Sequence, residues 1–288
     1  MPMPIRLGHI LSIRWALASF LSAAALAQTC ACAAPTPTST STAGPRGYFS
    51  PPLQSNGVAV KEFSWNGHRW NNDSGQAWNT QVPYAIAIGN NGRLRFELHD
   101  TPSDRGQVDP PHKRRSEISS KGDKFHNHVI YWMAYSFKTH WGCVACQVRT
   151  GSGHESMQVH WPSGASPPLA FRIAPFNGAA GFRVTTRGDG QGNITRYTGP
   201  ISLDQCHDVV FRFQLGAVGF EEVWLDGRQV SKESNIPVGT DNEDGYPMRF
   251  GPYGGELGGN LIVSEYANIA PFPSTADLRA RITRPPAC

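Results

Sequence analysis

The chain has 288 residues, of which 39% are hydrophobic and 10% aromatic, so it can fill a substantial core and is not disordered as a whole. Its net charge is only +4 over the whole length, which argues against a dedicated nucleic-acid binder, because such proteins usually concentrate basic residues on one face. The 30 glycines and 23 prolines favour turns and loops over long helices.

The first 27 residues have the pattern of a secretory signal peptide. Two arginines precede an apolar run over residues 15–26, which ends in an A-x-A cleavage pattern at Ala27. The run is shorter than a membrane span requires. We therefore expect cleavage after Ala27 and a secreted or periplasmic protein. A bacterial lipoprotein signal at Cys30 or Cys32 is the alternative, but neither cysteine follows the Leu-small-small triplet of such signals.

Residues 28–47 form a linker rich in Pro, Thr and Ser that cannot bury a core, so we expect a single folded domain over residues 48–288 and a monomer. Export to an oxidising compartment predicts disulfides among the cysteines that remain after cleavage. These are Cys30, Cys32, Cys143, Cys146, Cys206 and Cys288. The sequence leaves their pairing open, although Cys143 and Cys146 are close enough to clip a loop. The C-x-x-C spacing of Cys143 and Cys146 also occurs in zinc sites and in redox sites. A zinc site would need a second pair of ligands at a suitable spacing, and a redox site would need a βαβ context, and the sequence has neither.

The body of the chain has the two-residue alternation of β-strands. Polar and apolar residues alternate over 94–99, 182–185 and 209–214, and three further strand candidates are 169–173, 222–225 and 261–266. Val129–Lys138 is apolar on both faces, which is typical of a strand covered on each side. No segment after residue 48 has a helical period. The sequence predicts an all-β fold, a two-sheet jelly roll or concanavalin-like sandwich with a concave groove for a long polymer.

Three predicted strands carry polar side chains at alternate positions, which places those side chains on one face. The polar groups that share a face are Arg115 with Glu117, Gln158 with His160, and Arg249 with Gly251 and Tyr253. The residues predicted to face the core instead include Ile118, Met157, Val159, Met248 and Phe250. On the pattern alone, a solvated sheet face is the simpler interpretation.

In these segments the sequence resembles the jelly-roll polysaccharide lyases, in particular the heparin-lyase-I-like group and more distantly the jelly-roll alginate lyases. The matching pieces occur in family order between residues 90 and 270: Arg115-Ser-Glu-Ile, Gln158-Val-His160, Ser166–Arg172, Val223–Val230 and Arg249-Phe-Gly-Pro-Tyr253. There are two departures from the family pattern. Arg249 stands where the family usually has Lys, and Pro252, which has no N–H, suits only an edge or bulged position of a strand.

The resemblance implies an enzyme that cleaves a uronic-acid polymer by β-elimination. Removing the weakly acidic C5 proton requires groups that neutralise the neighbouring carboxylate, and Arg115 and Gln158 can do this. His160 is the expected base, or the group that assists the tyrosine, and Tyr253 is the expected acid, or acid and base together.

Other residues are expected to support substrate binding at the same place. They are Arg249, Lys113 and Arg114, together with Glu117, whose role is to orient Arg115 rather than to react. No cofactor is implied. Calcium is possible in the family, but no acidic loop of this sequence indicates a calcium site.

Two other classes of protein remain open. One is a non-catalytic glycan-binding module on the same fold. The other is a glycoside hydrolase, which needs two facing carboxylates, whereas the adjacent Glu221 and Glu222 would point apart. The expected partner is an acidic polysaccharide and not a nucleic acid. The mild basic charge favours an unsulfated polymer, glucuronan or alginate, over heparin.

Overall fold

A computed structural model describes residues 49–52, 54–55, 58–59, 62–72, 86–89, 92–99, 114–161, 166–241, 244–254 and 261–288. The predicted signal peptide, the linker over residues 28–47, Cys30, Cys32 and Lys113 lie outside these ranges. Export, cleavage after Ala27 and the pairing of Cys30 and Cys32 therefore stay predictions.

Two antiparallel sheets packed face to face form the described part of the chain, which confirms the predicted two-sheet jelly roll. From edge to edge, the eight-stranded sheet contains β1 (Phe49–Pro52), β6 (Ile86–Gly89), β7 (Leu94–His99), β19 (Leu261–Ala267), β10 (Ile130–Trp141), β15 (His207–Gln214), β16 (Gly216–Leu225) and β17 (Arg228–Val238). The nine-stranded sheet contains β14 (Ile194–Pro200), β13 (Ala179–Thr186), β12 (Leu169–Phe176), β11 (His154–Val159), β18 (Met248–Gly254), β9 (Ile118–Ser120), β5 (His68–Asn72) and β4 (Glu62–Trp65), and β8 (Arg114–Arg115) also pairs with β18. The short strands β2 (Gln54–Ser55) and β3 (Val58–Ala59) pair with each other.

The core between the sheets is rich in aromatic side chains. Phe171 of β12 meets Phe211 of β15 edge to face with ring centroids 5.0 Å apart, and Tyr135 of β10 meets Phe250 of β18 at 5.1 Å. The core-facing residues predicted from alternation are fully buried: Ile118, Met157, Val159, Met248 and Phe250. Their burial turns the alternate, polar side chains of β11 and β18 to the outer face of the nine-stranded sheet.

Strand β10 is covered on both faces, as the apolar run Val129–Lys138 predicts. On its outer face, Trp132 and Ala134 form a small apolar cluster that is covered by Leu278 and Ile282 of the C-terminal segment. A disulfide between Cys206 and Cys288 ties this segment down, and an Arg281–Asp208 ion pair of 3.1 Å adds to it.

Two short helices are present where the sequence has no helical period, α1 (Val144–Thr150) and α2 (Arg279–Ile282). Cys143 and Cys146 do form a disulfide, but it clips the first turn of α1 rather than a loop, and Cys143 is the N-cap of that helix. Two turns are too short to produce a recognisable helical period in the sequence. No helix within the described ranges is long and apolar enough to cross a membrane.

The buried His154 of β11 should make the stability of the fold sensitive to acid. Burial, and then the charge of Arg172, lowers the pKa of His154 to about 3. Between that value and the unfolded value of roughly 6.5, the unfolded chain binds the extra proton, so stability falls as the pH drops through this window. Between pH 7 and pH 5 we expect this residue to account for a loss of about 2 kcal/mol. Denaturant unfolding at both pH values measures it.

The matched variant is His154→Leu, which removes the titrating group and keeps an apolar side chain of similar size at a fully buried position. The free energy of unfolding of this variant should depend less on pH by that amount. Equal losses of stability in the two proteins would show that the ring of His154 is protonated in the folded state.

Candidate active site

Strand β18 brings the three predicted motifs side by side. It lies between β11 on one side and β8 and β9 on the other. Gln158 lies directly opposite Arg249, and Arg115 lies directly opposite Tyr253. Directly opposite residues have Cβ atoms about 5 Å apart, so these side chains are immediate neighbours on the outer face.

A continuous chain of contacts joins the predicted reactive groups. The guanidinium of Arg115 lies over the ring of Tyr253, 4.6 Å from its centroid. The Nη1 atom of Arg115 is 3.6 Å from Oε2 of Glu117. The Nε2 atom of Gln158 donates a hydrogen bond of 2.5 Å to Oε1 of the same carboxylate. One carboxylate therefore fixes both the guanidinium and the amide.

Glu117 is completely buried beneath this cluster. A buried carboxylate is costly unless it is paired and hydrogen-bonded, and here Arg115 and Gln158 supply both. The position fits the expected role of orienting Arg115. It does not fit a direct contact with substrate, because other atoms cover the carboxylate.

His160 follows β11 and is held in a fixed orientation. Its backbone N–H donates to the carbonyl of Pro247 at 2.8 Å, and its ring Nδ1 donates to the carbonyl of Trp161 at 2.6 Å. A carbonyl only accepts, so Nδ1 carries the proton and Nε2 keeps a free lone pair. Burial, then the charges of Arg249 and Arg115, lowers the pKa of His160 to about 3. The imidazole is therefore neutral near pH 7 when the site is empty.

A β-bulge explains the unusual Gly251-Pro252 step in β18. The register with β11 shifts by one residue between Phe250 and Tyr253, so Pro252 occupies a bulged position, as its missing N–H requires. The Pro252 carbonyl accepts a hydrogen bond of 2.9 Å from the N–H of Ser116. This bulge connects β18 to the segment between β8 and β9 that carries Glu117.

Replacing Gly251 with alanine should disrupt the bulge. Gly251 has φ +117°, and an added Cβ would lie 2.1 Å from the carbonyl oxygen of Ser116. We expect Gly251→Ala to lower the free energy of unfolding by roughly 3 kcal/mol, measured with denaturant. Activity should fall with it, because Tyr253 is two residues away.

The matched control is Gly192→Ala, where the added Cβ meets nothing within 4 Å. It should change the free energy of unfolding by no more than about 0.5 kcal/mol. If Gly251→Ala kept the stability and activity of the wild type, the bulge would not be needed to place Tyr253.

The supporting arginines are described to different extents. Arg249 is partly exposed next to Gln158. The backbone of Arg114 pairs with that of Gly254. Lys113 lies outside the described residues. Their contribution to substrate binding stays a prediction.

Three charged residues that were not predicted as site residues lie on the same face. Going outward from Tyr253, directly opposite positions on successive strands are Glu155, Arg172 and Arg183. Oε1 of Glu155 is 3.5 Å from Nη2 of Arg172. Arg172 and Arg183 alternate with buried core residues, so the sequence pattern could have placed them on the outer face. Only the strand order shows that this face position is close to Tyr253.

In the described part of the chain, no three His, Cys, Asp or Glu side chains are grouped so that they could hold a metal ion. The site is built instead from guanidinium, amide, imidazole and phenol groups.

The fold and the site together define a jelly-roll protein whose outer sheet face groups guanidinium, amide, imidazole and phenol side chains. Residues 63–266 match the polysaccharide lyase family, and the chain belongs to that family. It is therefore an enzyme, which sets aside the glycan-binding module and the glycoside hydrolase. The match is to the family as a whole and does not single out the heparin-lyase-I-like group.

Solved structures with a similar fold include other lyases. An endo-β-1,4-glucuronan lyase from the fungus Trichoderma reesei is 15% identical, with 78% of this chain and 93% of that chain covered and a TM-score of 0.46. The alginate lyase Aly36B is 14% identical, with coverages of 72% and 94% and a TM-score of 0.47. An alginate lyase from Klebsiella pneumoniae is 10% identical, with coverages of 64% and 82% and a TM-score of 0.47. These weak likenesses do not assign a substrate to this chain. No curated protein matches the sequence.

Proposed function

We propose that this polysaccharide lyase is exported and cleaves an unsulfated polyuronate, glucuronan or alginate, by β-elimination. The observation that carries the proposal is the contact chain from Gln158 through Glu117 and Arg115 to Tyr253, with His160 held neutral beside it. These are the groups that an elimination next to a carboxylate requires.

The carboxylate of the reacting sugar binds between Arg115 and Arg249, which are partly exposed. Gln158 is buried and its amide donates to Glu117, so it holds Glu117, and with it Arg115, in position. Guanidinium groups can hold a carboxylate with two parallel hydrogen bonds. This pairing offsets the negative charge that would otherwise keep the C5 proton firmly bound. It also stabilises the additional charge that develops on the carboxylate in the transition state.

The C5 proton goes to Nε2 of His160. In the empty site, Arg249 and Arg115 disfavour the imidazolium that this step forms. Burial is the larger cause of the lowered pKa, and a bound carboxylate offsets the two arginine charges, which shifts the pKa of His160 upward. The electron pair of the broken C5–H bond forms the C4–C5 double bond, and the C4–O4 bond breaks. The hydroxyl of Tyr253 donates its proton to O4, and no water is consumed.

The proposed location and substrate have separate support. The disulfides Cys143–Cys146 and Cys206–Cys288 suit an oxidising compartment, in agreement with the predicted signal peptide. The net charge of only +4 supports an unsulfated polymer over a heavily sulfated one.

The test is a panel of polyuronates incubated with the full mature protein. Glucuronan or alginate should give new ultraviolet absorbance from the unsaturated sugar end, in proportion to the new chain ends. New reducing ends without this absorbance would contradict elimination. Cleavage of heparin but of neither unsulfated polymer would contradict the proposed substrate.

A further inference from the structure

The outer face of β12 and β13 carries two arginines directly opposite each other. Arg172 and Arg183 are register partners, and both are partly exposed. Like charges at directly opposite positions of a sheet are unfavourable. Partial burial, and then the charge of Arg172, lowers the pKa of Arg183. The fold therefore keeps two positive charges together at a cost in stability.

The charge of this pair is only partly balanced. Glu155 pairs with Arg172 at 3.5 Å, whereas Arg183 has no acidic partner among the described residues. Within the same residues, the buried Nε atoms of both arginines have no hydrogen-bond partner. Glu155 orients one guanidinium and leaves the pair with one net positive charge. An anion binding there would relieve the repulsion between the arginines.

The position of the pair relative to the candidate active site suggests which anion it takes. Tyr253 and Arg172 are separated by one intervening strand, β11, and Arg183 lies on the next strand beyond. At strand spacings of about 4.8 Å, the pair is roughly 10–15 Å from the reacting position. An extended polysaccharide crossing the strands reaches that distance within a few sugars. If these two arginines only covered apolar surface with their side-chain methylene groups, they would not need to lie in line with Tyr253 across the strands.

We propose that Arg172 and Arg183 form a second anion-binding subsite, which holds the carboxylate of a uronic acid farther along the same polymer. The inference rests on the proposed function and makes it more specific. It requires a substrate with a second carboxylate roughly 10–15 Å from the reacting sugar, which a homopolymeric polyuronate supplies. The guanidinium forks bind the carboxylate oxygens, while Glu155 keeps Arg172 in position.

Binding without turnover gives the first test. Tyr253→Phe protein, which lacks the proposed proton donor, is titrated with glucuronan and with alginate, with and without Arg183→Gln. We expect Arg183→Gln to raise Kd about tenfold at low salt and to reduce the dependence of Kd on salt. Arg183→Lys, which keeps the charge but not the fork, should have a smaller effect. The control is Arg212→Gln on the other sheet, where Arg212 pairs with Glu222 at 3.0 Å, and it should leave Kd unchanged.

Kinetics of the otherwise unchanged enzyme give the second test. Arg183→Gln should raise KM for the long polymer and leave kcat unchanged. On the shortest oligosaccharides that are cut, kcat/KM should not change. An unchanged Kd in Arg183→Gln, an equal effect on short and long substrates, or no polymer binding by Tyr253→Phe protein would overturn the subsite. Normal polymer binding without elimination by the wild type would overturn the proposed function and leave the subsite standing.

Discussion

Tyr253→Phe is expected to lower kcat about 1,000-fold, because it removes the hydroxyl that donates a proton to the leaving oxygen. The phenyl ring keeps its place under the guanidinium of Arg115, whose centre lies 4.6 Å from the ring centroid in the wild type. KM and the free energy of unfolding should therefore change little. The measurements are initial rates of ultraviolet absorbance on the active polyuronate and a denaturant curve for each protein.

The matched control is Tyr197→Phe on β14, which removes a hydroxyl that accepts a hydrogen bond of 3.1 Å from exposed Arg228. It should keep the wild-type rate. If Tyr253→Phe folded normally and kept its rate as well, the phenol would have no part in proton transfer, and the assigned roles would fail together.

His160→Asn should also lower kcat by about 1,000-fold. The asparagine amide can donate to the carbonyl of Trp161 as Nδ1 does at 2.6 Å, so the local backbone keeps its partner. What is lost is the Nε2 lone pair that takes the C5 proton. The rate loss should appear with KM nearly unchanged, since carboxylate binding depends on Arg115 and Arg249.

The pH profile of kcat/KM checks the protonation state of His160. Because the pKa of His160 is about 3 in the empty site, kcat/KM should have no inflection from this residue between pH 5 and 7. His140→Asn, at a partly exposed position on β10, is the control and should behave as the wild type. Wild-type rates in His160→Asn would contradict the assignment of the base.

Much of the fold could be predicted because polar and apolar residues alternate along the strands in the sequence. The predicted strand over residues 94–99 has the bounds of β7, and the run at 129–138 lies almost entirely within β10. The core positions of β11 and β18 followed from the same rule. The convergence of Arg115, Gln158 and Tyr253 did not follow from spacing, and it was expected only because the ordered motifs resemble a known family.

The charged row beyond Tyr253 could not be predicted from alternation. Counting by twos from Gln158 turns Glu155 towards the core, but an irregularity at Ser156 shifts the register with β12 and places Glu155 opposite Arg172. Bulges reverse which face a side chain occupies, and a local pattern does not reveal them. Nor does it give the strand order, which makes Arg172 and Arg183 neighbours of the candidate active site.

The Cys206–Cys288 bond has a practical consequence for producing the protein. It closes a loop over a sequence separation of 82, which in the chain-entropy description contributes about 4.5 kcal/mol. It also fastens the C-terminal segment over the Trp132 and Ala134 cluster. In a reducing cytoplasm this disulfide would not form, and the C-terminal segment would be held less firmly. The apolar surface that it covers would then be exposed more often and would favour self-association. Periplasmic or oxidative-refolding routes should yield more monodisperse material.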